Sequence, residues 1–162
     1  MIILGLDPGS VRIGYGLIEK NKNKLTLVKS GLLKIKSRDK QQRLLELEKD
    51  FSKLIKKNKP DLIAMEKLFF MKNLKTALEV AQSRGVLTLI IVKHKIPLLE
   101  FSPSEIKIAV TGYGMADKKA VAKMISLILK IGEIKGPDDV TDAIATAITA
   151  ANYNYYKGRK IV

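Results

Sequence analysis

The chain opens with a short apolar run that ends in a carboxylate, and this feature constrains its fold more than any other. The run from Ile2 to Leu6 leads directly into Asp7, and the turn residues Pro8, Gly9 and Ser10 follow. A β-prone run closed by a turn predicts a strand with an acidic side chain at its end. An acidic residue set into an apolar segment is costly to bury without a positive partner, and a divalent cation is the simplest such partner.

The order of elements that the hydrophobic pattern predicts is typical of an α/β fold. The predicted strands are Ile2–Asp7, Arg12–Glu19, Lys24–Lys36, Asp61–Lys67 and Pro97–Phe101. The predicted helices are Arg38–Asn58, Asn73–Lys93, Pro103–Thr111, Lys118–Lys130 and Pro137–Tyr156. We therefore expect a mixed five-stranded sheet with helices on both faces. A single domain over residues 1–156 would form it, followed by a basic tail at residues 157–162.

Charge and composition narrow the class of partner. The 162 residues include 30 Lys and Arg against 16 Asp and Glu, a formal net charge of +14. This excess fits a protein that binds a polyanion such as DNA, although lysine-rich solvated faces would give the same count. No residue is a cysteine, so a metal site would use oxygen ligands. The sequence has neither a signal-peptide pattern nor an apolar stretch long enough for a bilayer, so we expect a soluble, cytoplasmic protein.

Four more acidic residues are candidate partners of Asp7, and they are Glu66, Asp138, Asp139 and Asp142. The first lies near the end of a predicted strand that can neighbour the opening one, and the other three begin the last predicted helix. Residues three or four apart share a helix face, so spacing allows Asp142 to pair with either Asp138 or Asp139. Converging carboxylates of this kind suit two Mg²⁺ or Mn²⁺ ions, which can activate water and stabilise a leaving oxygen in phosphoryl transfer.

A line of small residues on the second predicted helix has two interpretations. Its members are Ala77, Ala81, Gly85 and Thr88. They would let another helix approach closely, either within the same chain or from a second subunit. The pattern alone does not decide between these two contacts.

The opening turn also has a second interpretation. Together with Gly14 and Gly16, the residues from Asp7 to Ser10 could hold a phosphate through backbone N–H groups, as in actin-like kinases. Those folds use two such turns in two lobes, and this chain is too short for both.

Taken together, the motifs resemble those of the RuvC-type Holliday junction resolvases, crossover junction endodeoxyribonucleases with a ribonuclease H-like fold. The resemblance runs over nearly the whole chain, with many motifs in the family's order, which makes it specific. The residues that carry it are Gly5-Leu6-Asp7-Pro8-Gly9, Gly14-Tyr15-Gly16, Glu66, Phe69, Asn73, Ala77-Leu78, Gln82, Arg84-Gly85, Pro103-Ser104-Glu105-Ile106-Lys107, Val110-Thr111-Gly112-Tyr113-Gly114, Ala116, Lys118 and Asp139-Val140-Thr141-Asp142-Ala143.

This resemblance implies a metal-dependent homodimer that nicks two strands of like polarity in a four-way junction and leaves 5′-phosphate and 3′-hydroxyl ends. It also implies two Mg²⁺ ions per site, with Mn²⁺ as a possible substitute, and a branch-migration helicase complex as a partner. The catalytic metal ligands that it implies are Asp7, Glu66, Asp139 and Asp142. The DNA-contacting residues that it implies are Phe69 at the junction bases and Lys107 and Lys118 near the scissile phosphate.

The chain departs from the family pattern at two positions. Ala150 stands where many relatives carry a histidine, and Asp138 adds a carboxylate that can compete for metal. Two other functions are compatible with the same fold: a junction-binding protein without turnover, and a resolvase-like nuclease of ribosomal RNA processing. The four filled acidic positions count against the first, and the segments around Phe69 and Gly112–Lys118 count against the second.

Overall fold

The sheet contains the five predicted strands, and the first three form an antiparallel meander. The structure, a computed structural model, describes residues 1–68, 74–134 and 136–153, without the side chains of residues 74–76. Its strands are β1 (Ile2–Asp7), β2 (Arg12–Asn21), β3 (Lys24–Lys34), β4 (Leu62–Glu66) and β5 (Leu98–Phe101).

The spatial order of the strands is β3-β2-β1-β4-β5. The pairs β1–β2 and β2–β3 are antiparallel, whereas β1–β4 and β4–β5 are parallel, so the predicted mixed sheet is confirmed. In the parallel register Leu6 lies opposite Met65. The ends of β1 and β4 are therefore neighbours, as the sequence predicted.

Five helices are described, and side chains cap the starts of several of them. They are α1 (Lys40–Asn58), α2 (Leu74–Lys93), α3 (Pro103–Thr111), α4 (Lys118–Leu129) and α5 (Asp138–Asn152). Ser102 and Glu105 form a capping box at α3, and the Asp117 side chain accepts from the N–H of Ala120 at the start of α4.

Helices cover both faces of the sheet, as predicted. On one face α1 and α2 pack together over a core that includes Leu4, Phe51 and Ile91. On the other face α5 lies directly against β1 and β2, and α3 and α4 pack outside it. The residues of α5 that face this second core include Ile144 and Ile148, both fully buried.

Several element ends differ from the prediction. Helix α1 begins at Lys40 because Asp39 caps it, accepting from the N–H of Gln42 at 2.8 Å. Helix α4 ends at Leu129 because Lys130 adopts left-handed dihedrals. The last helix ends at Asn152 instead of Tyr156, and residues 154–162, with the predicted basic tail, lie outside the described residues. Among the described helices, none has both the length and the hydropathy that crossing a membrane requires.

Candidate active site

Two carboxylates lie at adjacent strand ends. Asp7 is the last residue of β1 and Glu66 the last residue of β4, and these strands are parallel neighbours. Side chains alternate between faces along a strand, and Leu6 is paired with Met65, so Asp7 and Glu66 point to the same face of the sheet. That face is the one that α5 covers.

Three glycines allow α5 to approach this face closely. A Cβ atom added at Gly14 would lie 1.9 Å from the carbonyl oxygen of Asp139, and one added at Gly5 would lie 2.1 Å from another backbone oxygen of α5. Gly16 is also in contact with α5, and Gly14 is paired with Asp7 in the sheet. The glycines therefore set the first turns of α5 beside Asp7. This packing role replaces the phosphate-binding interpretation of Gly14 and Gly16.

Helix α5 brings two carboxylates to the same edge of the sheet. The Asp139 side chain, in the first turn, is 24% exposed, and the helix dipole favours an anion at this end. Asp142 lies one turn further on and is 37% exposed. The Asp138 side chain is 72% exposed and accepts from Lys118 Nζ at 2.8 Å. The structure thus distinguishes two acids that spacing could not, because Asp139 packs on the sheet and Asp138 faces solvent.

Burial and repulsion between negative charges raise the pKa values of Asp7, Glu66 and Asp142, and Asp139 contributes to the repulsion. The pKa of Asp7 is raised from 3.8 to about 7. Burial is the largest cause, and the negative charges of Asp142, Glu66 and Asp139 are the next. The pKa of Glu66 is also raised, mainly by burial and next by the negative charge of Asp142. The pKa of Asp142 is raised too, mainly by burial. Four residues from distant parts of the sequence therefore share one electrostatic environment, which is typical of a functional site.

Two of the three residues predicted to contact DNA border these carboxylates. Lys118 Nζ lies 3.8 Å from a carboxylate oxygen of Asp142. Lys107, on α3, is close enough for its positive charge to lower the pKa of Glu66. The third residue, Phe69, lies outside the described residues.

Arg12 is a site residue that the sequence did not reveal. Its Nη2 atom lies 3.8 Å from the carboxylate of Asp139. Asp7 is paired with Gly14, so the first residues of β2 lie just beyond the end of β1. This proximity becomes visible only once the pairing of β1 with β2 is known.

The donor atoms of the site suit a hard divalent cation. They are carboxylate oxygens, and a cation would relieve the repulsion that raises the pKa of Asp7. In the part of the chain that the structure describes, no three acidic or histidine side chains lie close enough to hold a metal ion as they stand. Asp139 and Asp142 are instead near Arg12 and Lys118. A bound metal ion would therefore replace Arg12 and Lys118 as the positive partner of Asp139 and Asp142.

A cavity of about 210 Å³ opens at the ends of β1 and β4. Asp7 and Glu66 line it from the sheet, and Arg84 lines it from α2. The guanidinium of Arg84 donates to the backbone carbonyl of Glu66 and to the carboxylate of Glu100. Arg84 belongs to a motif of the resembled family, but this contact could not be predicted from the sequence.

The outer face of α2 is apolar and exposed. A groove of about 540 Å³ runs along it, lined by Ala81, Arg84, Gly85, Thr88, Leu89 and Val92. Leu89 is 55% exposed and Val92 is 65% exposed. A Cβ atom added at Gly85 would meet no described atom within 4 Å. Gly85 therefore does not serve packing within the described part of this chain, and Ala81 and Thr88 line the same exposed groove.

Comparisons with a family model and with known protein sequences all match proteins of the same description. A family model described as "Crossover junction endodeoxyribonuclease RuvC" matches residues 3–150. The chain is 44% identical over 154 residues to the protein of that name from Petrotoga mobilis, covering 94% of each chain. It is 43% identical over 161 residues to the one from Halothermothrix orenii, covering 99% of this chain and 97% of the relative.

Solved structures agree with the sequence comparisons. The structure of Thermus thermophilus RuvC in complex with a Holliday junction substrate superimposes with a TM-score of 0.86 at 27% identity, covering 93% of each chain. A second structure of Thermus thermophilus RuvC gives a TM-score of 0.83 at 26% identity with the same coverage. The predicted ribonuclease H-like fold is thereby confirmed.

Proposed function

The chain belongs to the RuvC family of crossover junction endodeoxyribonucleases, and we propose that it resolves four-way (Holliday) junctions by paired, symmetric nicks in strands of like polarity. Membership makes it a nuclease that hydrolyses DNA. The proposal is carried by one observation, the raised pKa of Asp7, which is buried at the edge of the sheet beside the charges of Asp142, Glu66 and Asp139. The chain around them has a net charge of +14, which suits metal-assisted chemistry on a polyanion.

The residues that would hold the metal are Asp7, Glu66, Asp139 and Asp142, with two Mg²⁺ ions per site and Mn²⁺ as a substitute. When bound, two such ions activate a water molecule and stabilise the departing oxygen. In the overall reaction the water oxygen forms a bond to phosphorus and the bond from phosphorus to the 3′ oxygen breaks. The products carry a 5′-phosphate and a 3′-hydroxyl.

Lys118 and Lys107 are the residues that we assign to the scissile phosphate. Lys118 is 68% exposed, so its ammonium group can exchange a carboxylate of α5 for a phosphate oxygen with little rearrangement. Lys107 lies close enough to Glu66 for its positive charge to lower the pKa of that carboxyl. We assign Phe69 to the junction bases on the resemblance alone.

The outer face of α2 supports the proposed homodimer. Paired nicks in two strands require two active sites, and one chain supplies one set of carboxylates. A second copy of α2 seated on the groove at Gly85 would cover Leu89 and Val92, because small residues let helix backbones approach closely. We also propose a branch-migration helicase complex as a partner and the cytoplasm as the place of action, on family membership.

Replacing Asp7 tests the proposal most directly. Asp7→Asn removes one negative charge from the most buried of the carboxylates, and we expect it to abolish nicking of a synthetic four-way junction while junction binding persists. Asp50→Asn is the matched control, because Asp50 is an acid on α1 whose nearby cation is Lys53 at 3.7 Å. Nicking at the wild-type rate by Asp7→Asn would remove Asp7 from the chemistry.

The substrate class needs a separate assay. We expect nicking of a four-way DNA junction with Mg²⁺, and much slower nicking of a matched linear duplex and of a structured RNA. DNA ligase should seal the nicks in the two duplex products, since it requires 5′-phosphate and 3′-hydroxyl ends. Preferential cleavage of the RNA would contradict the proposed substrate, and products that ligase cannot join would contradict the proposed ends.

Junction binding should depend steeply on salt. If 6–10 phosphates are neutralised, affinity falls by roughly 10³–10⁵ between 50 and 200 mM salt. Fluorescence anisotropy with a labelled junction and Asp7→Asn protein measures this without cleavage. A salt response close to zero would mean that binding does not depend on the cationic surface.

A further inference from the structure

Arg84 reaches from α2 to the end of the strand that carries Glu66. Its Nη1 atom donates to the carbonyl oxygen of Glu66, and its Nη2 atom donates to Glu100 on β5. The Arg84 side chain is only 14% exposed. A guanidinium presents its donors in a rigid, planar fork, so two bonds in different directions fix its position and that of both partners.

The peptide group that follows Glu66 is held at both of its polar atoms. Arg84 binds its carbonyl oxygen, and its N–H, which belongs to Lys67, donates to the carbonyl oxygen of Phe101 at 2.7 Å. Two bonds on opposite edges of one peptide plane restrict rotation about the last backbone bond of Glu66. The direction of the Glu66 side chain depends on that backbone, because the allowed side-chain rotamers depend on φ and ψ.

We infer that Arg84 is a positioning residue, which fixes the Glu66 carboxylate for metal binding by clamping the peptide group that follows it. The inference rests on the proposed metal-dependent function. Arg84 itself would touch neither the metal ion nor the DNA. Outer partners that orient a ligand typically affect metal affinity or activity by about 10–100-fold.

If Arg84 acted only through its charge, its substitution would change Mn²⁺ affinity in a different way from that expected of the clamp. An experiment can therefore separate the two effects. A positive charge beside Glu66 repels a cation, so charge alone would make Mn²⁺ bind more tightly after Arg84→Gln and equally well after Arg84→Lys. The clamp requires the fork, so it predicts weaker Mn²⁺ binding after both substitutions. We expect a decrease of about tenfold in each.

The experiment measures Mn²⁺ binding to DNA-free protein by electron paramagnetic resonance, and single-turnover nicking with saturating protein. Arg84→Lys should weaken Mn²⁺ binding and slow nicking while junction affinity stays within about twofold, since Arg84 touches no proposed DNA contact. Arg43→Lys is the matched control. Arg43 also donates to a backbone carbonyl, that of Ser37, and pairs with Glu79, but it lies on α1 away from the site.

Glu100→Gln provides a second variant that leaves Arg84 in place. It weakens one end of the clamp, and we expect a loss of Mn²⁺ affinity in the same direction, about two- to fivefold. The inference would be overturned by tighter Mn²⁺ binding in Arg84→Gln. It would also be overturned if the folded variants had a lower melting temperature but unchanged Mn²⁺ affinity. Because Mn²⁺ binding needs no DNA, a wild-type protein that binds Mn²⁺ but fails to nick junctions would refute the proposed function alone.

Discussion

Helices α5 and α2 cover opposite faces of one sheet, but among the described residues only α5 is enclosed by the rest of its chain. The buried residues of α5 are Val140, Ala143, Ile144, Ala145, Thr146, Ala147, Ile148, Thr149, Ala150 and Ala151. Helix α2 buries Ser83, Leu87, Ile90 and Ile91, while Leu78, Leu89 and Val92 are more than half exposed. A helix buried on all sides has its position fixed within the monomer, whereas an apolar face left in solvent is suited to a second chain.

The proposed function has two requirements, an assembled site within each chain and a second chain that brings a second site. The two helices serve them separately. The carboxylates of α5 meet Asp7 because glycines in β1 and β2 let the helix rest on the sheet, so the site is assembled within one chain. The outer face of α2 would supply the second site through a second chain. Arg84 belongs to both regions, because it binds the carbonyl of Glu66 and also lines the outer groove.

The largest expected effect comes from adding one methyl group under α5. Gly14→Ala would place its Cβ 1.9 Å from the carbonyl oxygen of Asp139, a backbone atom that cannot move aside alone. We expect a loss of more than about 3 kcal/mol in the free energy of unfolding, at or above the upper end of usual overpacking costs. Urea denaturation at a fixed protein concentration measures it.

Gly85→Ala is the matched control on α2. No described atom lies within 4 Å of the added Cβ, and alanine favours a helix more than glycine does. For the monomeric chain, measured at a concentration where the proposed dimer is dissociated, we expect the free energy of unfolding to rise by about 0.4–1 kcal/mol. Equal destabilisation by the two substitutions would contradict the distinction between an enclosed helix and an open one.

A charge on the outer face of α2 should weaken the proposed dimer. Leu89→Lys places an ammonium in the groove, and burying a leucine contributes about 1.5–3 kcal/mol. Because a symmetric dimer contains the residue twice, we expect a loss of at least about 3 kcal/mol of association free energy, or roughly 100-fold in the dissociation constant. Sedimentation velocity over a dilution series measures this change.

Leu45→Lys tests whether the effect belongs to α2. Leu45 is 61% exposed, on α1, and does not line the groove. It should leave the sedimentation profile unchanged. A dimer that survives Leu89→Lys and dissociates with Leu45→Lys would move the subunit contact to α1.

The pH dependence of stability should arise from the buried carboxylates on the face of the sheet that α5 covers, above all from Asp7. Asp7 has a pKa of 3.8 when exposed and about 7 in the folded, metal-free chain, so the folded state binds a proton that the unfolded state releases. Stability should therefore fall as pH rises from about 4 to 7, and then level off. Between pH 5 and pH 8 we expect a decrease of about 2–3 kcal/mol, at about 1.4 kcal/mol per unit of pKa shift.

Urea denaturation with a chelator, at a series of pH values, measures this slope. The raised pKa values of Glu66 and Asp142 act in the same direction, so Asp7→Asn should reduce the slope without abolishing it. A stability that rises over this range would mean that the carboxylates are not buried together.

The smallest expected effect lies at the exposed edge of α5. Asp138 and Lys118 form a pair in which both side chains are largely exposed, and such pairs contribute about 0–1 kcal/mol. Asp138→Asn should therefore change the free energy of unfolding by less than about 1 kcal/mol and leave Mn²⁺ affinity close to that of the wild type. A marked loss of Mn²⁺ affinity would place Asp138, instead of Asp139, among the metal ligands.

The sequence was sufficient for the elements and for the neighbouring strand ends. Alternating and helical hydrophobic patterns are local, so they predicted a strand that ends at Asp7, a strand with Glu66 near its end, and the helix that carries Asp142. The extent of burial of α5 was not predicted. Its residues are buried all around because α3 and α4 cover the side away from the sheet, which a single amphipathic pattern does not reveal.

Tertiary structure decided which side chains meet. The sequence left a phosphate-binding role open for Gly14 and Gly16, and only the position of α5 shows that they lie against this helix. Arg12 and Arg84 acquire their roles through contacts with Asp139 and Glu66, across strand pairings that bring distant segments together. The sequence by itself determined which acids lie at the ends of apolar segments, because that pattern is local. Their convergence depends on distances through space, which only the packed chain defines.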